Sequence, residues 1–383
     1  YIFNIIKREF DIKQGIKFEL FGTDELVNLD NPLVSVLRAL VDLSLKRMSL
    51  GDTPGGVATD CLKDELVSDA KRQSFKTRIF LSFDYHFLII CTMYFWGFAK
   101  WLTDNRFANM CCIGTNPYTE WNLLFLLLNS FSKKGIYGDF RMFDKTLNLQ
   151  VMRAVQALYR VFYGDYDLIA NKYRDLLFEE LLNLVHVTPL GGVALLYQVW
   201  GSNSSGNFLT GIINSIANIN MIYCACCHII LKEAKLSFLT CGVADLPLKI
   251  IDPLIRIFVY GDDICISSVD DRLNFNSIQT ALYELFQVDF TDDTKVDGII
   301  PDFKSHLDGS FLGRKFLPHL WLGHNDVSCP LRLDSIHDSV LFYKGDRSLK
   351  ILCDKIDNAF KEYSLHGEEV FNIHAKLLAD ASH

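Results

Sequence analysis

Ile255-Arg256-Ile257-Phe258-Val259-Tyr260-Gly261-Asp262-Asp263-Ile264-Cys265-Ile266-Ser267 is the stretch on which the reading of this chain turns. Two apolar, β-branched runs flank a four-residue interruption, the pattern of a β-hairpin with Gly261 and Asp262 at its tip. Gly-Asp is ordinary turn chemistry, so a solvated turn is one reading. Charge suggests a second. Adjacent aspartates at a tight tip repel each other unless a cation or water lies between them, so the tip can hold a metal if other stretches supply partners.

Composition frames the search for those partners. The chain has 383 residues, half of them hydrophobic and 22% charged, enough for two or three packed substructures and leaving little room for disorder. The apolar runs at 87–98 and 123–128 are interrupted well short of a bilayer's thickness, so no transmembrane segment is expected. Eleven cysteines without a secretory leader predict reduced thiols in a cytosol-like compartment. Tyr1 in place of Met suggests a piece of a longer precursor. The net charge of −8 argues mildly against nucleic-acid binding, although a basic footprint is a local property. Residues 63–78 carry Lys63, Lys71, Arg72, Lys76 and Arg78, interleaved with Asp64, Glu65 and Asp69; the stretch reads equally as a solvated mixed-charge loop.

Several chemistries are excluded by spacing. Cys224-Ala-Cys226-Cys227 has no second cysteine pair at zinc-ribbon distance and lies in a run of helical periodicity, so buried helix cysteines are expected. Neither H-E-x-x-H nor G-x-S-x-G occurs. Gly201 to Gly206 has the glycine spacing of a P-loop, but Asn207 stands where the lysine must be.

In chain order, residues 33–45 have helical spacing and Gly51-Asp-Thr-Pro-Gly-Gly56 is a turn-rich connection. Aromatics crowd residues 80–101, where large burial energies favour core over a base-stacking surface. A turn at 113–117 precedes a short apolar helix at 121–131. Asp139 should end a strand and Asp144 open the helix marked by Leu147, Val151, Val155, Leu158 and Phe162; a strand-end acid followed by a helix cap gives the same pattern. A second helix is expected near 172–184. Beyond it, the loop at 201–209 feeds a helix on which Thr210 and Asn214 share a face. A hydroxyl and an amide there can read a ribose hydroxyl, while Ser205 and Gly206 permit close approach to a phosphate or backbone. A capping loop with polar surface positions is the alternative. Taken together, Asp139 and Asp262 can hold two Mg²⁺ ions against a triphosphate and an attacking hydroxyl, the arrangement of a template-directed nucleotidyl transferase.

With these residues in place, the chain resembles the RNA-dependent RNA polymerases of picornavirus-like positive-strand RNA viruses over residues 61–344, with six motifs in family order. Leu62-Lys-Asp-Glu-Leu66 with Lys76-Thr-Arg78 is similar to the basic fingers motif, and Asp139-x-x-x-x-Asp144 to the first palm motif. Ser205-Gly206, Thr210 and Asn214 resemble the second, Tyr260-Gly-Asp-Asp263 the third, Thr291-Asp-Asp-Thr-Lys295 the fourth, and Phe311-Leu-Gly-Arg-Lys-Phe316 the primer-grip segment.

The resemblance implies an α+β right hand with an antiparallel palm sheet backed by helices: fingers at 1–100 with an insertion at 180–203, palm at 101–179 and 204–316, thumb at 317–383. It implies Asp139, Asp262, Asp263 and the Phe140 carbonyl as ligands of two Mg²⁺ ions, with Mn²⁺ able to substitute. Lys295 becomes the proton donor to pyrophosphate. Lys63, Lys71 and Arg78 meet the triphosphate; Asp144, Asn214, Thr210, Ser205 and Gly206 hold the nucleotide and sense its 2′-hydroxyl; Gly313, Arg314 and Lys315 contact the primer. The implied partners are RNA template and primer, NTPs, a small protein primer and other viral replication proteins, at membrane-associated replication complexes in the host cytoplasm. The segment before Lys63 is short against full-length relatives, so part of the amino-terminal fingers is expected to be missing. A reverse transcriptase and a catalytically dead RNA-binding remnant are the competing functions. The Asp144, Thr210 and Asn214 set speaks against the first and the intact acids against the second.

Overall fold

The computed structural model describes residues 32–67, 69–74, 76–191, 193–234, 246–294, 300–318, 326–342 and 348–381. The main strands in chain order are β1 (Val57–Leu62), β2 (Ile79–Phe83), β3 (Gly135–Phe140), β4 (Val185–Leu190), β5 (Val193–Gln198), β6 (Ile255–Tyr260), β7 (Asp263–Ser268) and β8 (Phe290–Asp292). They form two four-stranded sheets, ordered β2-β1-β4-β5 and β6-β7-β3-β8. The chain divides into two compact units, Tyr1–Asp104 with Met142–Ala217 and Asn105–Arg141 with Asn218–His383.

The first unit carries the β2-β1-β4-β5 sheet, antiparallel except for the parallel β1–β4 pair. The periodicity expected at 33–45 becomes helix Pro32–Leu50, and the aromatic stretch becomes helix Tyr85–Asp104. Phe87, Phe95 and Phe98 of that helix are fully buried. Phe95 and Phe98 meet Tyr159 edge-on at ring separations of 5.0 and 4.7 Å. These aromatics are therefore core, as their burial energy predicts. The helix expected near 172–184 runs from Leu168 to Leu182 and is capped by Asp167.

The second unit is built on the β6-β7-β3-β8 sheet, antiparallel throughout. Tyr137, Phe258 and Cys265 form one buried row across it, packed with Trp121, Leu124, Phe125 and Leu128 of helix Pro117–Phe131. Asn116 caps that helix with Pro117 at its first turn, where a missing N–H costs nothing. Phe290 of β8 stacks on Phe275 of helix Phe275–Phe286, and Phe140 lies 5.0 Å from Phe290. The sheet is thus backed by helices through aromatic contacts. Toward the carboxyl end come β9 (Ser310–Phe311), β10 (Arg314–Lys315), β11 (Leu317–Pro318) and β12 (Val327–Ser328). Helices Leu333–Leu341, Leu349–Ser364 and Glu368–Ala381 then share a small core of Ile336, Ala359 and Tyr363.

Two expectations change. Asp144 does not open the long helix: it sits in a separate short turn, Phe143–Thr146, and Asn148 caps helix Leu149–Tyr163 by accepting from the Val151 amide. Asparagine is a strong N-cap because its side-chain oxygen reaches an amide in the first turn. The helix expected from residue 210 is Thr210–Glu233, and it is longer than the runs at 87–98 and 123–128, long and apolar enough to cross a bilayer. Two thirds of its most apolar window is buried in the protein, the condition of a core helix.

Candidate active site

Gly138 of β3 pairs with Ile264 of β7, and Tyr260 of β6 pairs with Asp263. Continuing the β3–β7 register by one step sets Asp139 opposite Asp263, beside the Gly261-Asp262 loop that joins β6 to β7. Residues so opposed in an antiparallel pair have Cα atoms roughly 4.5–5.5 Å apart. Asp139 and Asp262, 123 positions apart in the chain, therefore stand at neighbouring strand ends of one sheet. Gly261 has a φ of +66°, which a two-residue hairpin loop with glycine in its first position requires. On the other side of β3, Asp139 pairs with Thr291 of β8, whose hydroxyl donates to the Asp139 carbonyl at 3.0 Å.

Asn218, which is fully buried, holds the loop from beneath. Its Nδ2 donates to the Gly261 carbonyl at 3.1 Å and to the Asp262 carbonyl at 3.2 Å. The acid set offers hard oxygen ligands only, the donor chemistry that Mg²⁺ prefers. The Phe140 side chain is buried against Phe290 and carries no ligand atom.

A second polar assembly lies wholly within the first unit. One oxygen of Asp144 accepts from Asn214 Nδ2 at 2.5 Å and the other accepts from the Ser205 hydroxyl. Asn203, 1% exposed, donates through Nδ2 to Asn214 Oδ1 at 2.6 Å and to the Thr210 carbonyl at 2.9 Å. Its Oδ1 accepts from Asn207 Nδ2 at 3.1 Å. The Thr210 hydroxyl faces the Ser204 and Asn207 carbonyls, both at 3.1 Å, so it closes the loop onto the helix. The loop is also sewn to β2: the Leu81 amide donates to the Ser205 carbonyl at 2.8 Å. A Cβ on Gly206, whose φ is +117°, would stand 2.0 Å from the Leu81 carbonyl oxygen, so that position admits glycine alone. Met142 and Ser202 both adopt left-handed conformations, at φ of 54° and 60°. Strain of this kind persists where the surroundings over-determine it; here the Ser202 amide donates to the Leu147 carbonyl and the Asn203 amide to that of Asp144.

Of the expected basic residues, Lys63 and Arg78 are brought together. The Lys63 amide donates to the Arg78 carbonyl at 2.8 Å, and both side chains lie near Glu65, at 3.4 and 3.8 Å. Both are exposed, a placement open to an anionic ligand. Lys71 falls in the short helix Asp69–Gln73. Lys295 lies outside the described residues.

Gly313 lies in the β9–β10 turn with a φ of +71°, and Lys315 is exposed. Arg314 departs from the expected free basic contact. Its guanidinium grips Glu362 through both terminal nitrogens at 2.7 and 2.8 Å, and also donates to the Cys329 carbonyl at 2.7 Å. Burial alone would raise the Glu362 carboxyl; hydrogen bonds from Arg314 and Tyr118 outweigh it and hold the group below its ordinary range. A guanidinium so engaged ties the primer-grip turn to helix Leu349–Ser364.

Three buried groups and one partly buried lysine carry no mark in the sequence reading. Asn203 and Asn218 are described above; Asn218 follows Thr210 and Asn214 at the same four-residue helical interval, a signal that was present. Lys304 reaches both Asp292 and Asp293. Burial pushes both carboxyls up; Lys304 and Thr294 bring Asp292 below its ordinary value, while Asp293 stays above. His306 bonds the Tyr137 hydroxyl at 2.7 Å and the Ser132 carbonyl at 2.9 Å. No local pattern marked these last two.

The model of the viral RNA-dependent RNA polymerases matches residues 27–374. The chain belongs to that family. This chain is 29% identical over 337 residues to the replicase polyprotein of acute bee paralysis virus (strain Rothamsted), covering 84% of the chain and 17% of the polyprotein. Against the replicase polyprotein of Drosophila C virus (strain EB) it is 27% identical over 374 residues, 93% of the chain and 20% of the relative. Against the genome polyprotein of human hepatitis A virus genotype IIIB (isolate HAJ85-1) it is 28% identical over 265 residues, 68% of the chain and 11% of the relative. The chain thus spans a fifth or less of these polyproteins. Its fold is that of the Sicinivirus 3Dpol RNA dependent RNA polymerase, with a TM-score of 0.71 at 19% identity over 94% of this chain and 68% of that one.

Proposed function

We propose that this chain carries out template-directed RNA synthesis. A primer 3′-hydroxyl attacks the α-phosphorus of an NTP; the new O3′–P bond forms as the bond to the β-phosphate bridge breaks, and pyrophosphate leaves. The observation that carries this reading is the β3–β7 register, which draws Asp139 to the Asp262-Asp263 turn. Asp139 and Asp262, with Asp263 and the Phe140 carbonyl beside them, would hold two Mg²⁺ ions, or Mn²⁺ in their place. When bound, such ions stabilise the entering and leaving oxygens of an in-line displacement.

The chain's own residues do the rest. Asp144, kept as an acceptor by Asn214 and Ser205, reads the 2′-hydroxyl. Thr210 and Gly206 shape the loop that carries Ser205. Lys63, Lys71 and Arg78 neutralise the triphosphate, and Lys295 protonates the departing pyrophosphate. Gly313 and Lys315 support the primer, with Arg314 fixing their turn. In the right-hand scheme, residues 1–100 and 180–203 are fingers, 101–179 and 204–316 palm, and 317–383 thumb. Template and primer are held largely through phosphates and 2′-hydroxyls, so binding is sequence-independent and weakens with salt. A small protein primer and other viral replication proteins are the further partners, at membrane-associated complexes in the host cytoplasm.

Primer extension on a homopolymer RNA template with Mg²⁺ tests the reading. Asp262→Asn should abolish extension and leave RNA binding within about twofold. Extension at the wild-type rate by that variant would refute the assignment.

A further inference from the structure

Resting on the sugar-reading role just proposed, we infer that Asn203 is a positioning residue that sets ribonucleotide selectivity by fixing which way the Asn214 amide points. A carboxamide has a donor end and an acceptor end of nearly the same shape, so its orientation is decided by what surrounds it. Asn203 faces the Thr210 carbonyl, an obligate acceptor, at 2.9 Å. That contact forces Asn203 to present Nδ2 on this side. The same Nδ2 lies 2.6 Å from Asn214, so Asn214 must turn Oδ1 toward it. Asn214 Nδ2 is thereby left pointing at Asp144 Oδ1.

The opposite end of Asn203 is fixed in the same sense. Its Oδ1 accepts from Asn207 Nδ2, and Asn207 in turn accepts the Leu209 amide on its own Oδ1 at 2.7 Å. Two backbone groups, the Thr210 carbonyl and the Leu209 amide, thus impose one polarity on a chain of three asparagines. All three are at most 9% exposed, so water does not offer the reversed arrangement. The chain ends on the carboxylate proposed to read the ribose. Asn203 touches neither Asp144's side chain nor any substrate position; it acts through Asn214.

Removing Asn203's donor leaves the Asn214 amide held from the Asp144 side alone. The amide then loses its fixed direction, and the Asp144 carboxylate it positions no longer presents one geometry to the 2′-hydroxyl. The loss should appear in the ratio of kcat/KM for GTP over dGTP on a poly(C) template with the full chain. Asn203→Ala should lower that ratio about tenfold, the worth of one hydrogen bond to a charged group, with kcat/KM for dGTP unchanged or raised. A ratio within twofold of wild type, in an assay where Asn214→Ala does lower it, would overturn the inference. Should Asn203→Ala fail to accumulate folded, Asn203→Asp gives an independent measure. Its buried carboxyl donates when protonated and cannot when ionised, so selectivity should fall with rising pH relative to wild type as the group ionises; selectivity equal to wild type across the whole pH range of activity refutes the role. A wild-type chain that uses GTP and dGTP alike would remove the sugar-reading proposal itself, and this inference with it.

Discussion

Asn218, fully buried, donates from Nδ2 to the main-chain oxygens of Gly261 at 3.1 Å and Asp262 at 3.2 Å. One side chain thus clamps both residues of the loop that carries the acid. Asn218→Asp replaces that donor with an acceptor facing two carbonyls. Single-turnover extension should slow tenfold to a hundredfold, the loss of one or two buried hydrogen bonds, with the affinity for RNA little changed. A rate within twofold of wild type would show that the loop keeps its shape without this clamp.

Arg314 and Glu362 form a two-pronged ion pair, both side chains only 13% and 12% exposed. Burial lowers the guanidinium's affinity for its proton, and Glu362 more than restores it. Removing one partner strands a buried charge, which typically costs more than the pair contributes. Glu362→Ala should therefore destabilise the chain by about 3 kcal/mol in urea unfolding. The double variant Arg314→Met/Glu362→Leu should recover part of that loss. Additive losses in the double variant would mean the two side chains act independently.

His306 is 1% exposed, and burial, with Lys133 nearby, pushes its pKa down to about 4. Its Nε2–H donates to the Ser132 carbonyl and its Nδ1 accepts from Tyr137, which is a neutral ring fully paired. Between about pH 6.5 and pH 4 the unfolded chain binds a proton here that the folded chain does not, so acidification across that window favours unfolding. The group's full effect is about 3 kcal/mol. Comparing the pH dependence of urea unfolding in wild type and His306→Leu isolates it, and the variant's curve should be flatter through that window. Parallel curves would mean that the ring is protonated in the fold.

Much of the fold was legible in the chain itself. The hairpin at Gly261-Asp262, the helices at 32–50 and 168–182 and the core role of Phe87, Phe95 and Phe98 follow from periodicity and turn chemistry, which act between near neighbours. The cap at Asn148 is not singled out by the sequence, because Asp144, four residues earlier, is an equally good helix start by residue type. The anchoring role of Arg314 was invisible because its partner lies 48 positions away, and a basic residue in a turn reads the same whether its charge is free or spent. The Asn203 relay was hidden for a similar reason: an amide's direction is set by whichever carbonyl faces it across the fold.

By itself, the amino-acid sequence determined which acids, amides and bases this chain carries, in what order, and on which kind of element, since backbone propensity and side-chain alternation are short-range. Only the tertiary structure decided that β3 places Asp139 one residue beyond its pairing with β7, beside the Asp262-Asp263 turn, that Asn218 grips that turn, and that Asn203 bonds to Asn214. Strand register and buried hydrogen-bond pairing depend on groups far apart in the chain, and their partners are chosen when the core closes and water no longer competes.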